Sequence, residues 1–309
     1  MAGPFNALVR GVSVVSIGTG EVLDVVASLV VLGAAVSIMT WYWLNFGHRR
    51  SPTFSRLQNV RGGVLLGKSL MNGGYWALQP VGRALCTVGV RPNTITWFGL
   101  ALALVAGGAL VAGYPGVAGF FFLCSVLCDA LDGLVARMGR RQSASGAVFD
   151  AISDRLEEIV AFSAIAIATR QSSLMVALCV GALVATLMNS YVSAKAEAAR
   201  VPVPNGRMRR GERSAWVIAG LVATPLLALS NPPWHVYLPA LTMLVLLVVV
   251  SIGTTISVTA RALALLRQVR SAAESPTAAV CPNPTTEGGA DSDSARHLVG
   301  LFLDPHKQP

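Results

Sequence analysis

The chain has 309 residues, of which 53% are hydrophobic and 13% are charged. Because soluble domains carry roughly twice that charged fraction, the composition excludes an ordinary soluble protein and predicts an integral membrane protein. The formal net charge is +9, but Lys and Arg lie mostly between or beside apolar segments, which is typical of membrane topology signals and does not indicate nucleic-acid binding.

The first 70 residues predict one membrane span and a basic linker. Residues 1–20 are apolar with a single charge, Arg10, and are interpreted as an interfacial lead-in. Residues 25–44 form the first predicted span, which ends in the aromatic run Trp-Tyr-Trp. Acidic residues precede this span and basic residues follow it, so we expect its C-terminal end in the cytoplasm. Residues 1–70 are therefore predicted to precede the main helical domain as a separate segment.

Residues 71–270 predict a surface helix followed by six membrane spans. The surface helix is predicted from the helical spacing of Tyr75, Trp76, Leu78, Val81 and Leu85. The breaker at residues 90–94 then supplies an N-cap, Asn93 or Thr94, for the first of the six spans. These spans are predicted at residues 95–112, 115–136, 147–169, 173–194, 214–230 and 235–259.

The charges of the connecting segments predict the topology. Residues 137–142, 195–213 and 261–270 are basic, whereas the segments at 112–116 and 230–234 are neutral. This alternation predicts seven spans in all, with the N-terminus outside and the C-terminus in the cytoplasm. Residues 271–309 are rich in Ser, Pro, Thr and Gly and predict a disordered cytoplasmic tail.

Aspartates interrupt two of the predicted spans. Asp129 and Asp132 lie near the cytoplasmic end of one span, and Asp150 and Asp154 lie near the cytoplasmic beginning of the next. Because these spans are antiparallel, the two pairs are expected at a similar depth, each pair on one helix face. Carboxylates in membrane segments are costly and indicate a functional site, and so many together imply a cationic partner.

A divalent metal is the cation that fits this cluster. All-oxygen ligands favour Mg²⁺, Mn²⁺ or Ca²⁺ over zinc. A pair of such ions suits displacement at phosphorus, and one carboxylate can accept the proton of an attacking hydroxyl. The small residues Gly133, Ala136 and Gly146 beside the acids could serve either close helix packing or a nucleotide pocket, and the spacing leaves both open.

The motif carries a family resemblance. It reads D-x-x-D-G-x-x-A-R, eight residues, then G-x-x-x-D-x-x-x-D, and every fixed position of the CDP-alcohol phosphotransferase signature is present. The segment R-P-N-T-I-T at the start of a span also resembles this family, and the likeness covers residues 71–270. It implies an all-α membrane protein with a six-helix bundle, usually a homodimer, whose site opens to the cytoplasm of a bacterial inner membrane. The first span would be an addition to that bundle.

The resemblance also implies roles for the motif residues. Asp129, Asp132 and Asp150 match the metal ligands, and Asp154 matches the general base and a further metal contact. The nucleotide would lie against Gly133, Ala136, Arg137 and Gly146. The implied cofactor is Mg²⁺ or Mn²⁺, as two ions, and the implied reaction is attack of an alcohol on CDP-diacylglycerol with release of CMP.

Two further segments indicate the acceptor. Residues 191–197, Y-V-S-A-K-A-E, and 206–213, G-R-M-R-R-G-E-R, resemble the branch that uses inositol phosphate or glycerol phosphate. Lys195 and Arg213 match the residues that meet the acceptor's phosphate, although either could instead be a topology charge on a solvated loop. The intervening arginines, 207, 209 and 210, are interpreted as topology or lipid-headgroup charges. Glu157 is expected beside the site, and Glu158 is given no role.

Two other functions are compatible with acids in a membrane. An ion-coupled transporter could use the aspartates as a cation site, but its acids would lie near the midplane on broken helices, and no internal repeat is evident. A silent membrane scaffold would gain nothing from costly carboxylates.

Overall fold

A computed structural model describes residues 19–46, 68–201, 208–229 and 238–274. The regular structure of these residues is entirely helical, which confirms the predicted all-α class. The helices are α1 (Thr19–Phe46), α2 (Lys68–Val88), α3 (Pro92–Val111), α4 (Pro115–Met138), α5 (Ala144–Ala168), α6 (Ser173–Ala198), α7 (Arg210–Ala228) and α8 (Leu238–Glu274).

Each predicted span and the predicted surface helix corresponds to a helix, but two boundaries differ. Helix α8 continues to Glu274 through residues 261–270, which were predicted as a connecting segment. The N-cap of α3 is Arg91 and not Asn93 or Thr94, because Pro92 already occupies the first helical position. Among the described residues, α1, α3, α4, α6 and α8 are long and apolar enough to cross a membrane. Helices α5 and α7 correspond to the predicted spans 147–169 and 214–230, and they carry the charges of the site. The predicted lead-in, most of the basic linker, the segment 230–234 and the tail beyond residue 274 lie outside the described residues.

The described residues fall into two compact units. One comprises the described residues within 1–186 and 207–255, and the other those within 187–206 and 256–309. The first unit contains α1 together with the predicted catalytic helices.

Small and apolar side chains form the core of the first unit. Its most deeply buried members include Ala103, Ala106, Ala118, Ile165, Leu221, Leu247 and Val250. Alanine at such positions lets helices approach closely, which is how membrane helices gain packing energy. Helix α3 packs against both α4 and α5, so it lies beside both of the acid-bearing helices.

Helix α1 is fastened to the start of α4. Asp24 is only 6% exposed, and its carboxylate accepts a hydrogen bond of 2.8 Å from the backbone N–H of Val117 in the first turn of α4. Gly116 permits this approach, because a Cβ there would overlap the carbonyl oxygen of Asp24 and the hydroxyl of Ser28. A carboxylate at a helix N-terminus satisfies a free backbone donor and the helix dipole. The added helix is therefore an integral part of the first unit.

Candidate active site

The predicted aspartates of α4 and α5 converge. One carboxylate oxygen each from Asp129, Asp132 and Asp150 lies within 4.8 Å of the others. Asp129 and Asp132 lie in the C-terminal half of α4, and Asp150 lies in the second turn of α5. Convergent carboxylates at this spacing suit a hard divalent cation. Their assignment as metal ligands stays a prediction that this geometry supports.

Helix α3 supplies a polar contact that fixes one of these acids. The hydroxyl of Thr96 donates a hydrogen bond of 2.6 Å to Oδ2 of Asp132. Thr96 is 3% exposed and Asp132 is 5% exposed. A hydrogen bond from a neighbouring hydroxyl orients a ligating carboxylate and leaves its other oxygen for a cation. Thr96 is the last residue of the segment R-P-N-T-I-T, so this contact explains why a threonine is needed at the end of that segment.

An arginine from α7 reaches the same cluster. One terminal nitrogen of Arg210 forms an ion pair with Oδ1 of Asp154, and the other forms one with Oδ2 of Asp129. The second nitrogen also lies 2.5 Å from Oε2 of Glu157. Arg210 was interpreted from the sequence as a topology or headgroup charge, and the structure contradicts that interpretation. Its guanidinium bridges carboxylates of α4 and α5.

The cluster fits a bound cation in a further respect. Oδ1 of Asp129 and Oε1 of Glu157 are buried and have no hydrogen-bond partner among the described residues. Buried carboxylate oxygens without donors are costly, and a divalent cation is the partner that would satisfy them. Asp154 stands apart from the close trio, and Arg210 holds it.

Glu158 and Arg213 form a separate buried ion pair between α5 and α7. Glu158 is 7% exposed and Arg213 is 3% exposed. Nε and Nη2 of Arg213 both donate to Oε1 of Glu158, while Nη1 donates to the carbonyl oxygen of Met208 at 3.1 Å. Glu158, which was given no role from sequence, therefore has a defined partner. The role of Arg213 at the acceptor's phosphate stays a prediction, because its three donor nitrogens are engaged here.

The predicted nucleotide residues lie around the turn between α4 and α5. Arg137 is exposed in the last turn of α4, and Ala136 is partly buried. Gly146 donates its N–H to the hydroxyl of Ser143, the N-cap of α5, at 3.1 Å. A Cβ at Gly146 would lie 2.9 Å from that hydroxyl, so the small residue has a packing reason. Its contact with a nucleotide, like that of Gly133, stays a prediction.

The second acceptor candidate, Lys195, belongs to the second compact unit. It is exposed, and its ammonium lies 5.6 Å from the centroid of the Tyr191 ring. A cation over an aromatic face is a favourable contact. The role of Lys195 at a phosphate stays a prediction.

Sequence reasoning missed Thr96 and Arg210. The signal for Arg210 was available, because acids buried in an apolar helix require a basic partner from another element. The sequence does not say which of several neighbouring arginines fills that position. Thr96 carried a weaker signal, because a threonine hydroxyl in an apolar helix usually bonds to its own backbone.

Comparison with known proteins matches residues 89–257 to the family model of CDP-alcohol phosphatidyltransferase. A phosphatidylinositol phosphate synthase of Mycobacterium bovis is 34% identical over 188 residues, which is 57% of this chain and 81% of that protein. One from Mycobacteroides abscessus is 32% identical, over 47% of this chain and 67% of that protein.

Solved structures give the same picture of the fold. The crystal structure of Mycobacterium tuberculosis phosphatidylinositol phosphate synthase with CDP-DAG bound has a TM-score of 0.51 and 25% identity, covering 60% of this chain and 92% of that one. A structure of the same enzyme with manganese and citrate has a TM-score of 0.52 at 23% identity, covering 70% and 98%.

Proposed function

Because this chain belongs to the CDP-alcohol phosphatidyltransferase family, it is a membrane-bound enzyme of phospholipid synthesis, and we propose that its acceptor is an inositol phosphate. The reaction transfers a phosphatidyl group from CDP-diacylglycerol to an alcohol and releases CMP. The observation that carries this function is the convergence of Asp129, Asp132 and Asp150 within the family's signature. This membership favours transfer over the alternative of an ion-coupled transporter.

The metal would be held by the residues of α4 and α5. Asp129, Asp132 and Asp150 offer converging oxygens, and the hydroxyl of Thr96 holds Asp132 in place. Bound Mg²⁺ or Mn²⁺ supplies charge neutralisation at the pyrophosphate and at the departing CMP. The unpartnered Oδ1 of Asp129 is a free lone-pair site for this purpose.

The chain's own residues then orient the reactants and move one proton. The acceptor's hydroxyl oxygen forms a bond to the phosphorus of the lipid-linked phosphate, and the bond from that phosphorus to the CMP oxygen breaks. Asp154 takes the hydroxyl proton at a carboxylate oxygen. Gly133, Ala136, Arg137 and Gly146 are proposed to hold the nucleotide so that CMP leaves in line with the attack.

Inositol phosphate is favoured by two observations. Relatives that are 32% and 34% identical are phosphatidylinositol phosphate synthases. The chain also carries the basic positions Lys195 and Arg213 expected for a phosphorylated acceptor, and a guanidinium or ammonium pairs well with phosphate. Glycerol phosphate is the other acceptor that this pattern allows.

The cellular setting is part of the proposal. The basic loop at 137–142 adjoins the aspartates, which under the positive-inside rule supports a site at the cytoplasmic face. We propose that the membrane is a bacterial inner membrane. Association of two copies as a homodimer, which the family resemblance implies, is likewise proposed.

A single incubation tests the acceptor. Purified protein receives CDP-diacylglycerol, Mg²⁺ or Mn²⁺, and in separate tubes inositol phosphate, glycerol phosphate, inositol or serine. We expect CMP release only with inositol phosphate, with an equal amount of phosphatidylinositol phosphate identified by mass spectrometry. If the main product is the lipid formed from glycerol phosphate, the assignment of inositol phosphate as the acceptor is wrong. If no acceptor leads to CMP release, the proposed reaction is wrong.

The aspartates provide the control for that incubation. Asp129→Asn and Asp150→Asn each remove one negative ligand, so we expect turnover to fall below detection while the protein remains folded. Asp154→Asn should lower kcat more than it raises the Kd for CDP-diacylglycerol. An unchanged rate with Asp154→Asn would contradict its role as the base.

A further inference from the structure

The position of Arg210 conflicts with the roles of its partners. Asp129 is a candidate metal ligand, and Asp154 is the candidate base, yet the guanidinium of Arg210 forms ion pairs with both. Arg210 pairs with Oδ2 of Asp129, so a divalent cation at the unpartnered Oδ1 would lie beside a second positive charge on the same carboxylate. The two cations therefore oppose each other's binding, and a carboxylate that is ion-paired to a guanidinium, as Asp154 is, accepts a proton less readily.

The surroundings of Arg210 make it the main internal cation of the cluster. It meets Asp129, Asp154 and Glu157 with its two terminal nitrogens. The neighbouring Arg155 forms only a longer ion pair with Oδ2 of Asp154, at 3.7 Å, and the same nitrogen donates a hydrogen bond of 2.6 Å to the carbonyl oxygen of Ala151. Closely spaced carboxylates repel one another strongly in a partly buried site, so a cation must bind there for the helices to pack.

Arg210 is also placed so that it can leave. It is the first residue of α7, directly after the extended residue Arg209. Its side chain is 25% exposed, compared with 4% for that of Arg213. Because part of its side chain already reaches solvent, an arginine at this helix start can turn further towards solvent without unwinding α7, whereas Arg213 is held in the interior.

We propose that Arg210 is an exchangeable counter-cation: it competes with the divalent metal for Asp129, and its displacement by the metal frees Asp154 to act as the base. This inference rests on the proposed metal site and adds to it an ordering device. In the metal-depleted protein Arg210 neutralises the carboxylates and holds α4, α5 and α7 together. A bound metal would neutralise the same carboxylates, so the guanidinium of Arg210 would be released and would turn towards solvent.

The exchange predicts tighter metal binding when Arg210 is removed. Full-length wild type and Arg210→Gln are stripped with EDTA and titrated with Mn²⁺ by calorimetry. Breaking charge-assisted contacts opposes metal binding in the wild type, so Arg210→Gln should bind Mn²⁺ about ten- to a hundredfold more tightly. The thermal midpoint of Arg210→Gln should lie below that of wild type in EDTA, and saturating Mn²⁺ should narrow the difference.

Arg209→Gln is the matched control. Arg209 is the preceding residue and its side chain makes no capping hydrogen bond to α7. This variant loses the same formal charge a residue away, so it should bind Mn²⁺ as wild type does. If Arg209→Gln tightens binding as much as Arg210→Gln, the effect is one of net charge and the exchange is wrong.

A measurement on the wild type tests the exchange of Arg210 for the metal even if Arg210→Gln does not fold. Phenylglyoxal modifies accessible guanidinium groups, and mass spectrometry locates the modified arginine. We expect Arg210 to react faster with Mn²⁺ than in EDTA, while the buried Arg213 reacts slowly in both. Equal or slower reaction of Arg210 with Mn²⁺ would overturn the exchange.

The outcomes separate this inference from the proposed function. If neither wild type nor Arg210→Gln binds Mn²⁺, both the metal site and the exchange are wrong. If both bind Mn²⁺ with the same affinity and the wild type carries out transfer, the proposed function stands and only the exchange is overturned.

Discussion

At the scale of single residues, the hydroxyl of Thr96 is the contact with the clearest consequence for the metal site. It donates to Oδ2 of Asp132 at 2.6 Å, and its distance to its own helix carbonyl at Pro92 is longer, 3.3 Å. A hydroxyl carries one proton, so the shorter contact to the carboxylate is the one it satisfies. The hydroxyl therefore fixes the orientation of Asp132.

Thr96→Val should lower the affinity of the site for the metal without creating a cavity in the core. Valine has nearly the same shape but cannot donate, so Oδ2 of Asp132 loses its hydrogen bond. Loss of such a supporting hydrogen bond typically costs about 10- to 100-fold in metal affinity or activity. Calorimetric titration with Mn²⁺ and the rate of CMP release measure both effects.

Thr96→Ser provides the control, because serine keeps the hydroxyl and loses only a methyl group. It should retain most of the metal affinity. If Thr96→Val binds Mn²⁺ as wild type does, the hydroxyl does not support the site.

The residue scale also shows what the sequence could and could not predict. The four aspartates were recognisable because they recur at helical spacing in an apolar segment, and Asp129, Asp132 and Asp150 do converge. Arg210 was not, because helical spacing places residues on a face of their own helix and says nothing about which arginine of another helix reaches them. The pairing of Glu158 with Arg213 was missed for the same reason.

At the scale of helices, the buried pair of Glu158 and Arg213 joins α5 to α7. Removing one partner leaves a buried charge without compensation, which typically costs about 3–5 kcal/mol. We therefore expect Glu158→Leu and Arg213→Met each to lower the thermal midpoint strongly. The double variant should recover much of that loss, because apolar side chains of similar volume often replace a buried pair with little cost.

The double variant also tests the acceptor role of Arg213. If it folds and releases CMP at the wild-type rate with saturating inositol phosphate and an unchanged KM, Arg213 serves packing alone. A raised KM for inositol phosphate in a well-folded double variant would support contact with the acceptor. A double variant no more stable than the worse single variant would contradict the pairing argument.

The contact between α1 and α4 makes a second prediction at this scale. Asp24→Ala removes the acceptor for the N–H of Val117. Loss of an N-cap acceptor typically costs about 0.5–2 kcal/mol, so the thermal midpoint in detergent should fall. Glu21→Ala, which removes the other acidic residue of α1's first two turns, is the control and should change it little. An unchanged midpoint for Asp24→Ala would mean that α1 is held by its apolar contacts alone.

At the scale of the whole molecule, the lengths of the apolar segments predicted where the helices lie. Apolar runs near 20 residues long predict helices because backbone groups in lipid must bond within their own segment. The placement of α3 against both acid-bearing helices was not predicted, since it depends on how small residues such as Gly99 fit against other helices. A Cβ at Gly99 would lie 3.1 Å from that of Cys128 on α4 and 3.5 Å from Oε1 of Glu157 on α5.

The orientation of the molecule in the membrane makes the last prediction. If the N-terminus is outside, the turn between α3 and α4 lies outside and the turn between α4 and α5 lies in the cytoplasm. Ala112 and Gln142 are exposed at these two turns, so each can be changed to cysteine in a variant lacking the native cysteines. In right-side-out membrane vesicles, an impermeant maleimide should label Ala112→Cys at once and Gln142→Cys only after permeabilisation.

The reverse result would place Asp129 and Asp150 at the outer face, where the basic segment of residues 137–142 would contradict the positive-inside rule. Labelling of both sites before permeabilisation would mean that the turns share one side and that α4 does not cross the bilayer.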